Sequence, residues 1–177
     1  MSQAPIALVT NDDGIGSRFL LELTSALVER FDVFVCAPDG ERSWIGHAIS
    51  RHQRLVPEAI EGMKCPAWQV NGTPADCVNL ALGHLLPKKP DIVVSGINLG
   101  YNVTWPMILS SGTVGGALEG TLEGIPSVAV SMALPPEEFD DIRESQGEVR
   151  GDLLRSLRVT ARKAALFAEE LVRTSEE

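Results

Sequence analysis

Ile6-Ala7-Leu8-Val9-Thr10-Asn11-Asp12-Asp13-Gly14 is the stretch on which the fold turns. It begins as a short apolar run without polar alternation, the pattern of a strand covered on both faces. The run stops at an Asn-Asp-Asp-Gly cluster, which is turn chemistry. Residues 17–30 follow with Phe19, Leu20, Leu23, Ala26 and Leu27 at helical spacing. Val33-Phe34-Val35-Cys36 is a second buried-strand run and ends at Pro38-Asp39-Gly40. Strand, helix and strand within about 30 residues has the size of a βαβ unit.

The same rhythm continues outward. Ile92-Val93-Val94 and Val128-Ala129-Val130 are short apolar strands, each beside a helical segment, at 73–86 and 113–123. The segment at 73–86 has a strong start signal, with Thr73 as N-cap, Pro74 at the first position and Asp76 at the third. Apolar strands alternating with helices predict a three-layer α/β domain with a mostly parallel sheet. Residues 39–71 break the alternation, and Arg54-Leu55-Val56 with Trp68-Gln69-Val70 reads as a hairpin. The polar, Pro-rich stretch 134–151 reads as a loop, and 152–173 as a final amphipathic helix. No repeat or linker divides the chain, so one domain over 1–177 is expected.

The chain has 177 residues, 24 acidic and 15 basic, for a net charge of −9. That balance opposes binding of polymeric nucleic acid, which needs clustered Lys and Arg. It leaves a small phosphorylated ligand open, because backbone amides and a metal bind phosphate under an acidic surface. No apolar run approaches the ~18 residues of a membrane span. The N-terminus lacks a basic region and enters a strand directly, so no signal peptide is expected. Cys36, Cys65 and Cys77 are scattered and lack CxxC spacing, which fits a cytoplasmic protein with reduced thiols.

Open α/β sheets bind ligands beyond the carboxyl ends of their strands, and oxygen-rich segments fall there. Asp12 and Asp13 are adjacent carboxylates that repel unless a cation or hydrogen bonds hold them; the alternative is a turn in which Asp13 caps the next helix. Ala37-Pro38-Asp39-Gly40-Glu41-Arg42-Ser43 and Ser95-Gly96-Ile97-Asn98-Leu99-Gly100-Tyr101-Asn102 follow the other strands. Asp12, Asp13, Ser43 and Asn98 together offer hard oxygen ligands, which suit Mg²⁺ or Mn²⁺. Zinc is disfavoured, since His47, His52 and His84 are isolated from one another. His84 reads as structural, whereas His47 lies in a loop from which it could reach a ligand. Ser110-Ser111-Gly112-Thr113-Val114-Gly115-Gly116 opens a helix with small residues, an anion cradle to which Ser111 and Thr113 add hydroxyls. The alternative is a simple N-cap with close helix packing. Gly14-Ile15-Gly16 imitates a dinucleotide fingerprint, but Phe19 stands where its third glycine belongs.

The motifs NDDG (11–14), APD…RS (37–43), GTPADCV (72–78), SGIN.G.N (95–102) and SGTV…A.EG (111–120), in that order, resemble the stationary-phase survival protein SurE family. The resemblance covers about residues 6–131. It implies a Rossmann-like core and a phosphatase, dependent on one divalent metal ion, that converts nucleoside 5′- or 3′-monophosphates to nucleoside and phosphate. It places the metal on Asp12, Asp13, Ser43 and Asn98, with Asp12, Asp13 and Asn98 catalytic. It places the substrate phosphate on Ser111, Gly112 and Thr113, with Asn11 and Asn102 lining the site. Residues 103–110 depart from the family pattern, being more apolar and one residue longer. The chain ends at Thr174-Ser175-Glu176-Glu177, where the family continues into an extension used in subunit association. The expectation is a SurE-like domain without that extension, with a homodimer left open. The competing functional readings are a non-catalytic nucleotide-binding module and a phosphatase acting through an aspartyl-phosphate.

Overall fold

The computed structural model describes residues 4–135, 138–139, 142 and 149–175. Strands β1 (Ile6–Thr10), β2 (Asp32–Pro38), β3 (Pro57–Ala59), β4 (Ala67–Val70), β5 (Ile92–Leu99) and β6 (Ser127–Met132) form one sheet in the order β3-β4-β2-β1-β5-β6. All neighbouring pairs are parallel except the edge pair β3–β4. The helices are α1 (Arg18–Leu27), α2 (Pro74–Leu80, running into a wider turn at Ala81–Leu85), α3 (Trp105–Ser110), α4 (Gly112–Leu122) and α5 (Gly151–Ser175). This is the α/β fold with a mostly parallel sheet that the sequence predicts.

The strand period of two sorts the core into layers. Ala7 and Val9 of β1 join a cluster with Leu20, Leu23 and Leu27 of α1 and Leu157, Ala161 and Ala168 of α5. Leu8, between them, joins Cys77 and Val78 of α2 on the other face. Leu8, Leu20, Leu23 and Leu157 are fully buried, and each contributes about 1.5–3 kcal/mol by leaving water. Helix α4 approaches the α2 side through glycine: a Cβ on Gly120 would fall 2.6 Å from Val93 Cγ2.

Strand β1 is the hinge of the topology. The chain leaves it for β2 on one side and later fills β5 on the other, so the carboxyl ends of β1 and β5 flank a topological switch point.

Several boundaries differ from the sequence reading. The hairpin exists, but its first strand is Pro57–Ala59, three residues beyond Arg54-Leu55-Val56. That strand is an exposed edge, so apolar content was no guide to its position. Strand β5 continues past Val94 to Leu99, because a register shift between Ser95 and Asn98 lets it stay paired with β6. The Gly96–Ile97 peptide is cis and lies within that shift. Residues 105–110, to which the sequence reading assigned no element, form α3. Within 134–151, Glu138, Phe139 and Ile142 are helical, Leu134, Pro135, Val149 and Arg150 are irregular as expected, and the rest lie outside the described residues.

Candidate active site

At the switch point a cavity of about 1000 Å³ opens, lined by Asp12, Asp13, Ser43, Asn98, Asn102 and Ser111. These come from the ends of β1, β2 and β5 and from the start of α4, so sheet order alone draws them together. Asn11, Gly112 and Thr113 lie behind that lining. Asn11 Nδ2 donates to the Gly14 carbonyl at 3.0 Å and closes the turn that presents the two aspartates. Gly14 completes that turn at φ +96°, where a Cβ would strike Gly40 at 2.9 Å; the turns after β1 and β2 therefore pack back to back.

Asp12 is buried, and Thr113 Oγ1 donates to its Oδ1 at 2.5 Å. Burial pushes the Asp12 carboxyl above the ordinary carboxylate range, and hydrogen bonds from the Thr113 hydroxyl and backbone oppose the rise. The first turn of α4 thus orients Asp12. Gly112 permits this, because a Cβ there would meet Asp12 Cβ at 2.8 Å and the Arg42 carbonyl at 3.0 Å. Asp13 is raised to about 7, first by burial, then by the charge of Asp12, with a hydrogen bond from the Leu99 backbone opposing. Its Oδ2 is buried without a partner.

The other positions are held by short-range bonds. Ser43 Oγ donates to Glu41 Oε1 at 2.7 Å, Asn98 Nδ2 to the Gly100 carbonyl at 3.1 Å, and Asn102 Nδ2 to Ser131 Oγ at 3.0 Å. Ser111 is the N-cap of α4 and accepts from the Val114 N–H at 3.2 Å. The Arg42 N–H donates to the Asp12 carbonyl at 2.7 Å, and its Nε to the Gly72 carbonyl at 3.2 Å. Arg42 therefore fastens the β2 turn to both the β1 turn and the start of α2.

Two findings lay outside the sequence reading. Glu41 lines the cavity as a further carboxylate and raises both aspartates through its charge; it sat inside the quoted 37–43 stretch without a strand-end position to mark it. His47 is not a cavity residue. Its Nε2 lies 2.6 Å from Glu119 Oε2, and Asn79 Nδ2 donates to Glu119 Oε1 at 3.0 Å, so it ties the 43–50 loop to α4 and α2.

The donor set suits a hard cation. Asp12, Asp13, Ser43 and Asn98 present oxygens, and the partnerless buried Asp13 Oδ2 is an acceptor with nothing to satisfy it. Among the described residues no group of three or more His, Cys, Asp or Glu converges on one point.

Comparison with known proteins gives the geometry a context. Residues 7–171 match the family described as Survival protein SurE. The 5'-nucleotidase SurE of Synechococcus elongatus is 48% identical over 130 residues, which is 71% of this chain and 50% of that protein. The 5'-nucleotidase SurE of Desulforudis audaxviator is 49% identical over 138 residues, 76% of this chain and 53% of that protein. The crystal structure of the SurE protein from Aquifex aeolicus superposes with a TM-score of 0.68 at 36% identity, covering 87% of this chain and 60% of that one. The chain spans about half the length of the curated relatives it matches. With the family match running through nearly all of its elements, the chain belongs to the SurE family.

Proposed function

We propose that the chain is a phosphoric monoester hydrolase that converts nucleoside 5′-monophosphates, and 3′-monophosphates, to nucleoside and phosphate. One observation carries the reading: two adjacent buried carboxylates meet the first turn of α4 in the crevice at the switch point. The relatives named 5'-nucleotidase support the substrate class.

Asp12, Asp13, Ser43 and Asn98 would hold one Mg²⁺ or Mn²⁺. When bound, such an ion supplies Lewis-acid charge beside the phosphoryl group. The protein's own residues do the rest. Thr113 and Gly112 fix Asp12 in place. One of Asp12 and Asp13 holds the ion directly and the other takes the proton of the attacking water. Ser111, the cavity-lining residue at the start of α4, faces the anionic phosphoryl oxygens with the helix dipole behind it, while the Thr113 and Val114 amides are engaged by Asp12 and by Ser111 Oγ. Asn102 and Asn98 add polar contacts from the β5 side. Direct attack by water leaves no covalent phosphate on either aspartate.

The test is phosphate release from a panel of nucleoside monophosphates with Mn²⁺, with Mg²⁺ and with EDTA. Release with either metal and none in EDTA is expected, together with a loss of about 100-fold or more in Asp12→Asn. Wild-type turnover by that variant would contradict the assignment. A nucleotide that raises the melting temperature without any phosphate release would favour a binding module instead.

A further inference from the structure

Ser43 is followed by a residue that the catalytic reading does not use. Trp44 is 74% exposed and belongs to neither core cluster, so burial does not hold it where it is. It also has a backbone φ of +60° and is the one described residue other than glycine with a positive φ. A bulky side chain in the left-handed region is strained. The strain is imposed from both sides: the Arg42 N–H is bonded to the Asp12 carbonyl and the Gly46 N–H to the Ser110 carbonyl, at 2.7 and 2.8 Å. The loop is thus pinned to the two segments that frame the carboxylates. Between the pins, Trp44 lines the same cavity as Asp12, Asp13 and Ser43. Tyr101, 49% exposed, lines that cavity from the end of β5.

The cavity, at about 1000 Å³, is far larger than a phosphate, and Met107, Leu134 and Phe139 make part of its lining apolar. A phosphoryl group held at the carboxylates therefore leaves the organic part of the substrate among aromatic and aliphatic side chains. A flat ring stacks on an exposed indole, and stacking depends on ring area rather than on hydrogen-bond pattern.

We infer that Trp44 is the specificity-determining platform on which the base of the nucleotide stacks, favouring purine over pyrimidine monophosphates. This rests on the proposed hydrolase reading for its substrate class. Trp44 touches the leaving nucleoside and not the phosphoryl group, so it sets which ester is chosen.

The experiment compares wild type with Trp44→Ala, Trp44→Phe and Trp44→Gly on AMP, UMP and glycerol 2-phosphate. It adds calorimetric binding of adenosine in EDTA, a readout independent of turnover. In Trp44→Ala the ratio of kcat/KM for AMP over glycerol 2-phosphate falls about tenfold, through KM for AMP, and the AMP preference over UMP shrinks. Trp44→Phe keeps most of the ratio. Trp44→Gly loses it like the alanine variant, yet melts at least as high as Trp44→Ala, because glycine accepts the positive φ. An unchanged ratio, including one in which activity on all three esters falls together, overturns the proposal while leaving the hydrolase reading intact. If wild type releases no phosphate from any ester, the hydrolase reading fails, and calorimetry decides the platform alone. Adenosine binding about tenfold weaker in Trp44→Ala supports it, and equal or absent binding in both overturns it.

Discussion

Asp13 has its carboxyl pushed from the ordinary 3.8 to about 7 by burial and by the charge of Asp12. A carboxyl raised on folding favours the folded state while it is protonated. Its contribution is fully present below about 3.8 and is lost as pH climbs through about 7. Without a divalent ion, the chain therefore loses stability across that window. At pH 7.5, Asp13→Asn is expected to raise the melting temperature of the metal-free chain by about 2 °C or more. Mn²⁺ raises the wild type and leaves the variant nearly unmoved. Differential scanning calorimetry in EDTA and in Mn²⁺ checks both, and a variant that melts lower than wild type in EDTA contradicts the electrostatic account. Asp12 shares the upward push, but Thr113 opposes it; the two aspartates are chemically unlike although adjacent in sequence. That difference was not legible in the string Asn-Asp-Asp-Gly, since the Thr113 contact spans 101 positions.

Among the elements, α4 places its first turn against Asp12 because Gly112 has no side chain. Gly112→Ala would put a Cβ 3.0 Å from the Arg42 carbonyl and 2.8 Å from Asp12 Cβ, and neither neighbour is the end of a flexible chain. The expected cost is about 1–3 kcal/mol of stability, with Asp12 displaced and phosphate release reduced about tenfold or more. Urea denaturation and a turnover assay on the same preparation read both; unchanged values in each would show that the contact is not tight. The elements also show where a sequence pattern informs and where it does not. The Thr73-Pro74-Asp76 signal predicted the start of α2, and in the structure Thr73 and Asp76 make both bonds of a capping box there. Thr104-Trp105-Pro106 carries a similar start signal, and α3 begins there with Thr104 as N-cap. It escaped the sequence reading because none of the residues of α3 is buried, so no apolar face marked it. Strand β5 was read short because Gly96 and Asn98 have turn chemistry, and the register shift that accommodates them depends on β6.

In the molecule as a whole, the parallel order of β2, β1 and β5 explains why so much was legible. Each strand carries a short apolar run, and the residue types that the crevice needs follow that run. Asp12, Asp13, Ser43 and Asn98 could be named because each lies just past such a run, and the structure brings them to one cavity. Asn11, Gly112 and Thr113 support that lining from behind, and Glu41 joins it, for reasons of packing that no local pattern displays. The scale of the whole also frames the central claim, that a domain spanning about half of its curated relatives' length holds a working, cation-dependent phosphatase centre. The direct measurement is a titration of Mn²⁺ into the metal-free chain with AMP present, following phosphate release and melting temperature on one preparation. The account predicts that both rise over the same range of Mn²⁺ concentration. A rising melting temperature with no phosphate release at any concentration would contradict it.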